Sequence, residues 1–181
     1  MEHKLPTIET ARMLLRPVLP KDCYSVYELR SNLELMKYVP RPRCSSLLEA
    51  RELITDGNNN QTKLNWSATL KGDDTCIGIM GFYRLYLEHF RAEVGYMMLA
   101  SYHGRGLVTE ALQALIAYGF DTLTLHTIEA VTDPDNFTSQ HILLKAGFIK
   151  EAHFKENLFF DGRFLDSVHY TLHKNNWIAV G

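Results

Sequence analysis

The 181-residue chain predicts a mixed α/β protein, with one mostly antiparallel sheet of about seven strands and about four helices packed on its faces. Through residue 99, β-branched and aromatic stretches follow one another across turns, the pattern of an antiparallel meander. After that point extended and helical periods alternate, which adds a β-α-β-α-β half to the same sheet. With 46% hydrophobic and 22% charged residues, the length suits one well-cored domain and is short for two. The expectation is a single domain over residues 1–181, with its core at about 10–177.

Taken in order, Met13-Leu14-Leu15-Arg16-Pro17 reads as a strand, followed by helices over residues 21–31 and 46–55. Asp56-Gly57-Asn58-Asn59-Asn60 is expected to break the second helix. Residues 65–70 and 76–86 read as strands around the turn Lys71-Gly72-Asp73-Asp74, and residues 92–99 continue the meander. Ala111, Leu112, Leu115, Ile116 and Phe120 recur at helical spacing within residues 109–123. A strand over 127–132, a short helix over 137–146 and extended segments at 148–157 and 164–172 complete the chain, with no repeat, low-complexity tract or linker.

A net charge of -2 gives no pull toward nucleic acid or anionic lipid. Cys23, Cys44 and Cys76 are odd in number and widely separated, without the paired spacing of a zinc site, so they read as reduced thiols in a cytoplasmic protein. Met1-Glu2-His3-Lys4-Leu5-Pro6 has no apolar run, and no later stretch approaches the ~18 apolar residues of a membrane span. His169 and His173 share one face of a strand, but spacing names no third ligand, and no metal is expected.

The most informative stretch is His103-Gly104-Arg105-Gly106-Leu107-Val108-Thr109-Glu110-Ala111, where a strand hands over to a helix. Backbone N–H groups at a helix N-terminus lack intrahelical acceptors and face the positive end of the dipole, so a diphosphate can lie against them with Arg105 nearby. Glycine lets it approach, since a Cβ would stand in the way. A Gly-x-Gly turn is equally compatible with a strand-to-helix turn that holds nothing. Of the common phosphate loops, Gly-x-x-x-x-Gly-Lys-Ser/Thr is absent, and Thr109 stands where the dinucleotide fingerprint needs its third glycine. Glu129 lies near the distance of a ribose-binding acid, which keeps a dinucleotide-binding oxidoreductase as an alternative.

A second constellation, Asp133-Pro134-Asp135-Asn136-Phe137-Thr138-Ser139, opens the helix that ends at Lys145-Ala146-Gly147-Phe148. Together the two stretches resemble the GNAT acetyltransferases. Within that family the chain is most similar to the ribosomal-protein alanine/serine N-acetyltransferase branch, through Thr10 to Pro17, Ala92-Glu93-Val94-Gly95-Tyr96, and Phe159 to Tyr170. The resemblance implies that His103 to Thr109 hold the pyrophosphate of acetyl-CoA and that Asn136 flanks its pantetheine arm. It also implies that the backbone at Met97, Met98 and Leu99 lies along the thioester, on a strand that splays from its neighbour. Three positions depart from the family pattern: His103 begins the loop, Val108 replaces a small residue, and Leu143 stands where many members carry a tyrosine that protonates the leaving thiolate.

Acyl transfer from a thioester to an amine needs a neutral amine, a path for its protons, donors for the oxyanion and stabilisation of the thiolate. Glu93, on the strand before the glycine loop, is the candidate base, directly or through water; the alternative is a surface or salt-bridged glutamate facing Arg91. Ser139 lies three residues beyond Asn136 on one helical face, as donor to the sulfur or, alternatively, as a residue that only solvates the first turn. The expected activity is direct transfer to a primary amine, the N-terminal α-amine of a protein or peptide starting with Ala or Ser. Small-molecule amines and a non-catalytic acyl-CoA-binding module are the alternatives, with a monomer or homodimer as the acting form. The acceptor groove is expected between residues 21–55 and the hairpin at 159–163, where Phe159 and Phe160 would crowd it.

Overall fold

The computed structural model describes residues 5–177. Residues 1–4, on which part of the N-terminal reading rests, lie outside the described residues. The strands are β1 (Ile8–Glu9), β2 (Met13–Pro17), β3 (Leu64–Leu70), β4 (Gly78–Tyr86), β5 (Arg91–Met98), β6 (Thr127–Thr132), β7 (Ile149–Phe160) and β8 (Arg163–His173). The helices are α1 (Cys23–Ser31), α2 (Leu33–Met36), α3 (Leu47–Asn59), α4 (Leu107–Ala117) and α5 (Phe137–Lys145). All eight strands form one sheet in the order β1-β2-β3-β4-β5-β6-β8-β7, antiparallel except for the β5–β6 pair.

The seven strands read from the sequence are present, and β1 is added beside β2, too short for a periodicity to register. Asn32 caps the unforeseen α2, accepting from the N–H groups of Glu34 and Leu35. The break expected at 56–60 comes only at its end, because α3 continues through Gly57 to Asn59 and Asn60 turns extended. Asn58 Nδ2 donates to the Val18 carbonyl at 3.1 Å, so a tertiary anchor overrides the local turn preference. In α4, Leu107, Ala111, Leu112, Leu115 and Ile116 form a buried stripe against the sheet, as their spacing predicts. The helix begins two residues earlier than expected and ends in a π turn, Tyr118–Thr122, that carries Phe120 into the core.

That core lies on one face, where α4 and α5 cover Trp66, Met80, Phe82 and Val94. On the opposite face α1 and α3 enclose a smaller cluster of Val18, Cys23, Val26, Cys44, Ala50 and Ile54. The three cysteines are buried and unpaired, as expected of reduced thiols.

The feature that positions the site is a split in the sheet. β5 pairs with β6 only over Arg91, Ala92 and Glu93, while its pairing with β4 runs on to Met98. From Val94 onward the β6 side of β5 is open. Leu99 donates its N–H to the Ile77 carbonyl on the β4 side, whereas the Met98 carbonyl accepts from the His103 ring at 2.7 Å. Successive residues of a strand alternate the direction of their peptide groups, so the backbone of Tyr96 and Met98 points into the opening.

Candidate active site

The mouth of the split is a cleft of about 480 Å³. One wall is the end of β5, with Tyr96, Met97 and Met98; a second is the glycine loop and the first turn of α4, with His103, Gly104, Gly106, Leu107, Val108 and Thr109. Asn136, Thr138, Ser139 and Ile142 of α5 face them, and Glu34, Leu35, Tyr38 and Val39 close the remaining side. Met97, Met98, Asn136, Ser139 and the loop residues other than Arg105 are thus brought together as the sequence expects. Leu99, Arg105 and Glu93 are not among the residues that line the cleft.

The loop is built for a close ligand. Gly104 and Gly106 have φ of +72° and +74°, the left-handed region that other residues adopt with strain, and no atom lies within 4 Å of where a Cβ on Gly104 would sit. Gly106 is the N-cap of α4, and the first intrahelical bond is Glu110 N–H to the Gly106 carbonyl. The N–H groups of Leu107, Val108 and Thr109 therefore have no intrahelical acceptor, the arrangement that holds anionic oxygens. Arg105 is exposed and its guanidinium sits over the Tyr102 ring, 5.4 Å from its centroid. Arg12 fastens the loop from behind. Its Nε donates to Glu110 at 2.6 Å, its backbone N–H donates to the same carboxylate at 2.8 Å, and its Nη1 donates to the Arg105 carbonyl at 2.9 Å. The Thr10 hydroxyl adds a 2.6 Å bond to Glu110. Burial pushes the Glu110 carboxyl up, but the bonds from Thr10 and Arg12 outweigh it and hold the group below the usual range.

On the α5 side, Asn136 caps the helix by accepting from the Ser139 N–H at 3.1 Å. Ser139 Oγ lies 3.0 Å from the Tyr96 hydroxyl. Burial, only partly offset by that bond, pushes the Tyr96 phenol up to about 12, so it keeps its proton at neutral pH. Leu143 is 1% exposed and belongs to the core, so position 143 contributes no group to the cleft. A protonated phenol does line the cleft from β5, where the sequence did not point to it; Tyr96 stood inside a quoted motif, but only the fold sets it against Ser139.

Glu93 stands at the root of the split, 17% exposed in its side chain, and accepts from Arg84 Nη1 at 2.8 Å. Its ion-pair partner is Arg84 rather than Arg91, which pairs with Glu129 at 2.9 Å. Tyr170 is buried and donates to Gln140 Oε1 at 2.9 Å, which makes it a satisfied core aromatic. Phe159 is 66% exposed against Phe164, and the β7–β8 turn does not line the cleft, so the crowding expected from that hairpin is absent. Among the described residues no group of three or more His, Cys, Asp or Glu is placed to hold a metal ion.

A sheet split beside a glycine-capped helix N-terminus, with a phenol and a serine facing its opening, defines an acyl-CoA-dependent transferase. Residues 12–149 match the acetyltransferase (GNAT) domain, and the chain belongs to that family. YnaD of Bacillus subtilis (strain 168), an uncharacterized N-acetyltransferase, is 30% identical over 170 residues, covering 94% of this chain and 98% of that protein. The spermidine N(1)-acetyltransferase of Escherichia coli (strain K12) is 24% identical over 165 residues, 91% of this chain and 88% of its own. The alanine N-acetyltransferase of ribosomal protein uS5 from the same strain is 35% identical over 102 residues, 56% of this chain and 53% of its own. The crystal structure of a GNAT-family acetyltransferase from Bacillus anthracis superposes with a TM-score of 0.85 at 27% identity, covering 94% of this chain and 99% of that one. The chain is therefore an N-acetyltransferase that uses acetyl-CoA.

Proposed function

We propose that the acceptor is the α-amine at the N-terminus of a protein or peptide that starts with Ala or Ser, acetylated directly in a ternary complex. Likeness to the uS5-alanine enzyme supports this acceptor, and likeness to the spermidine enzyme supports a small-molecule amine instead. What favours the α-amine is the modest proton-accepting machinery near the cleft. Glu93 is an ion-paired carboxylate outside the lining, which suits removal of a proton through water. An α-amine, with an ordinary pKa of about 7.7 to 8.0, is partly neutral without help, whereas a lysine or polyamine nitrogen near 10.4 is not.

In this reading His103 to Thr109 and Asn136 hold acetyl-CoA, and the Tyr96 and Met98 peptide groups face its thioester. Ser139 and Tyr96 supply a proton to the departing sulfur. The whole chain, residues 1–181, works as one catalytic domain, in the cytoplasm. The test is mass spectrometry of a peptide with an N-terminal alanine and an internal lysine after incubation with enzyme and acetyl-CoA. Acetylation of the α-amine is the expected outcome. Modification of the lysine alone, or brisk acetylation of spermidine with none of the peptide, would move the chain among the small-molecule enzymes of the family.

A further inference from the structure

Under α1 and α3, on the sheet face opposite α4, lies a second cavity of about 240 Å³. Ile79 and Met97 form part of its floor, and Met97 also lines the acetyl-CoA cleft, so the two spaces share one residue near the end of β5. Its charged groups are unbalanced. Arg30 from α1, Arg41 from the segment after α2 and Lys63 before β3 face it, against one carboxylate, Asp56, which is exposed. None of these four takes part in an ion pair among the described residues. Glu49, the other carboxylate that acts on Arg30, is engaged with Ser45, at 2.7 Å from its N–H and 2.8 Å from its hydroxyl.

Two polar atoms at this cavity are buried without a partner among the described residues: Arg30 Nε, a donor, and Asn65 Oδ1, an acceptor. Arg30 Nη2 has only a 3.3 Å bond to the Pro42 carbonyl. Burial, and then repulsion from Arg41, push the Arg30 guanidinium down, the sign of a charge desolvated with too little compensation. Tyr83 completes the cluster. A Cβ on Gly95 would lie 2.8 Å from its ring, so Gly95 is what lets that ring cross β5, and the Arg41 guanidinium sits 6.0 Å from the ring centroid. A guanidinium with a buried nitrogen is as a rule paired with an anion; Arg30, half-buried, with the exposed Arg41 beside it and no carboxylate paired to either among the described residues, calls for a ligand that brings the anion.

We propose that this cavity is the acceptor's second anchoring point and takes a carboxylate, so that the substrate is an amine that also carries an acidic group. With the amine near Met97, that carboxylate lies under α1 on Arg30 and Arg41, while Asn65 Oδ1 accepts from a neighbouring N–H of the acceptor. This inference rests on the acetyl-transfer reading and narrows it. Within an Ala- or Ser-initiated peptide the carboxylate belongs to an acidic side chain close behind the first residue; in a free amino acid it is the molecule's own. A polyamine has nothing to offer the cavity and is repelled by it.

The test compares an Ala-Glu-Glu peptide with its Gln-Gln and Lys-Lys counterparts, with free glutamate and with spermidine, by initial rates at saturating acetyl-CoA. Calorimetric titration of the CoA-loaded enzyme with the same compounds is run alongside. The acidic peptide should show a KM roughly 10- to 100-fold below the neutral one, the scale of a charge-assisted bond. Arg41→Gln should erase that advantage while leaving kcat and the KM for acetyl-CoA unchanged. Arg41 is the informative variant, because its guanidinium makes no hydrogen bond among the described residues, whereas Arg30 also holds the Pro42 carbonyl. Equal KM values for the three peptides, or an equal rise for all of them in Arg41→Gln, would overturn the carboxylate assignment while leaving peptide acetylation standing. Acid-selective binding by calorimetry without peptide turnover would do the reverse. Preference for free glutamate would keep the carboxylate and remove the peptide, and preference for spermidine or the Lys-Lys peptide would remove the carboxylate.

Discussion

Ser139 and Tyr96 share a single hydrogen bond, so one of the two hydroxyls donates to the other and a single proton is left to offer into the cleft. Ser139→Ala and Tyr96→Phe should each lower kcat by roughly 10- to 1,000-fold with acetyl-CoA affinity unchanged, the scale of general-acid assistance. Because the groups act as a unit, the double variant should be no slower than the worse single one. Multiplying effects would mean two independent roles, and full activity in both would leave the thiolate to depart unaided. Glu93→Gln should flatten the rising limb of the pH-rate profile; an unchanged limb would reduce Glu93 to the partner of Arg84. Ser139 and Asn136 were legible in the sequence because three residues of helix fix their common face. Tyr96 and Arg30 were not, since each acquires its meaning from a residue more than thirty positions away or from a cavity that no local pattern encodes.

At the scale of an element, the glycine loop is held from two sides, by its own left-handed turns and by the Arg12–Glu110 clamp. Gly106→Val would put a branched residue at φ +74° on the N-cap of α4 and distort the amides that face the cleft. Calorimetry should show it weakening acetyl-CoA binding far more than Arg105→Ala, which removes an exposed guanidinium; equal losses would point to side-chain rather than backbone recognition. Glu110→Gln should fall between them. The sign of the pH effect follows from the lowered Glu110 pKa: the clamp is complete above the ordinary glutamate range and lost as pH falls through the folded value beneath it. Affinity should therefore not decline on this account between pH 6 and 8. The loop and α4 were readable in advance because glycine spacing and a 3.6-residue stripe are local signals. The extension of α3 through Gly57 was not, because Asn58 is fixed by the Val18 carbonyl across the fold.

For the whole molecule, the two faces of the sheet are unequally filled. α4 and α5 close over a continuous core that includes Trp66, Phe82, Phe120 and Tyr170, whereas α1 and α3 cover a small cluster that borders the 240 Å³ cavity. Resistance to local opening follows buried apolar contact, so the α1–α3 layer should open without the rest. Hydrogen exchange should find the amides of α1 and α3 opening at a lower free energy than those of β3, β4 and β5. Ile116→Ala should cost about 2–5 kcal/mol of global stability by leaving a void in the main core, while Ile54→Ala should chiefly speed exchange in α1 and α3. Added CoA should protect the loop from 104 to 109, and an acceptor added to that complex should protect α1 and α3 on top of it. Uniform exchange across both faces, or an Ile54→Ala effect as global as that of Ile116→Ala, would mean that the acceptor side is as rigid as the coenzyme side. The acceptor would then have to enter a preformed cavity instead of one that opens to admit it.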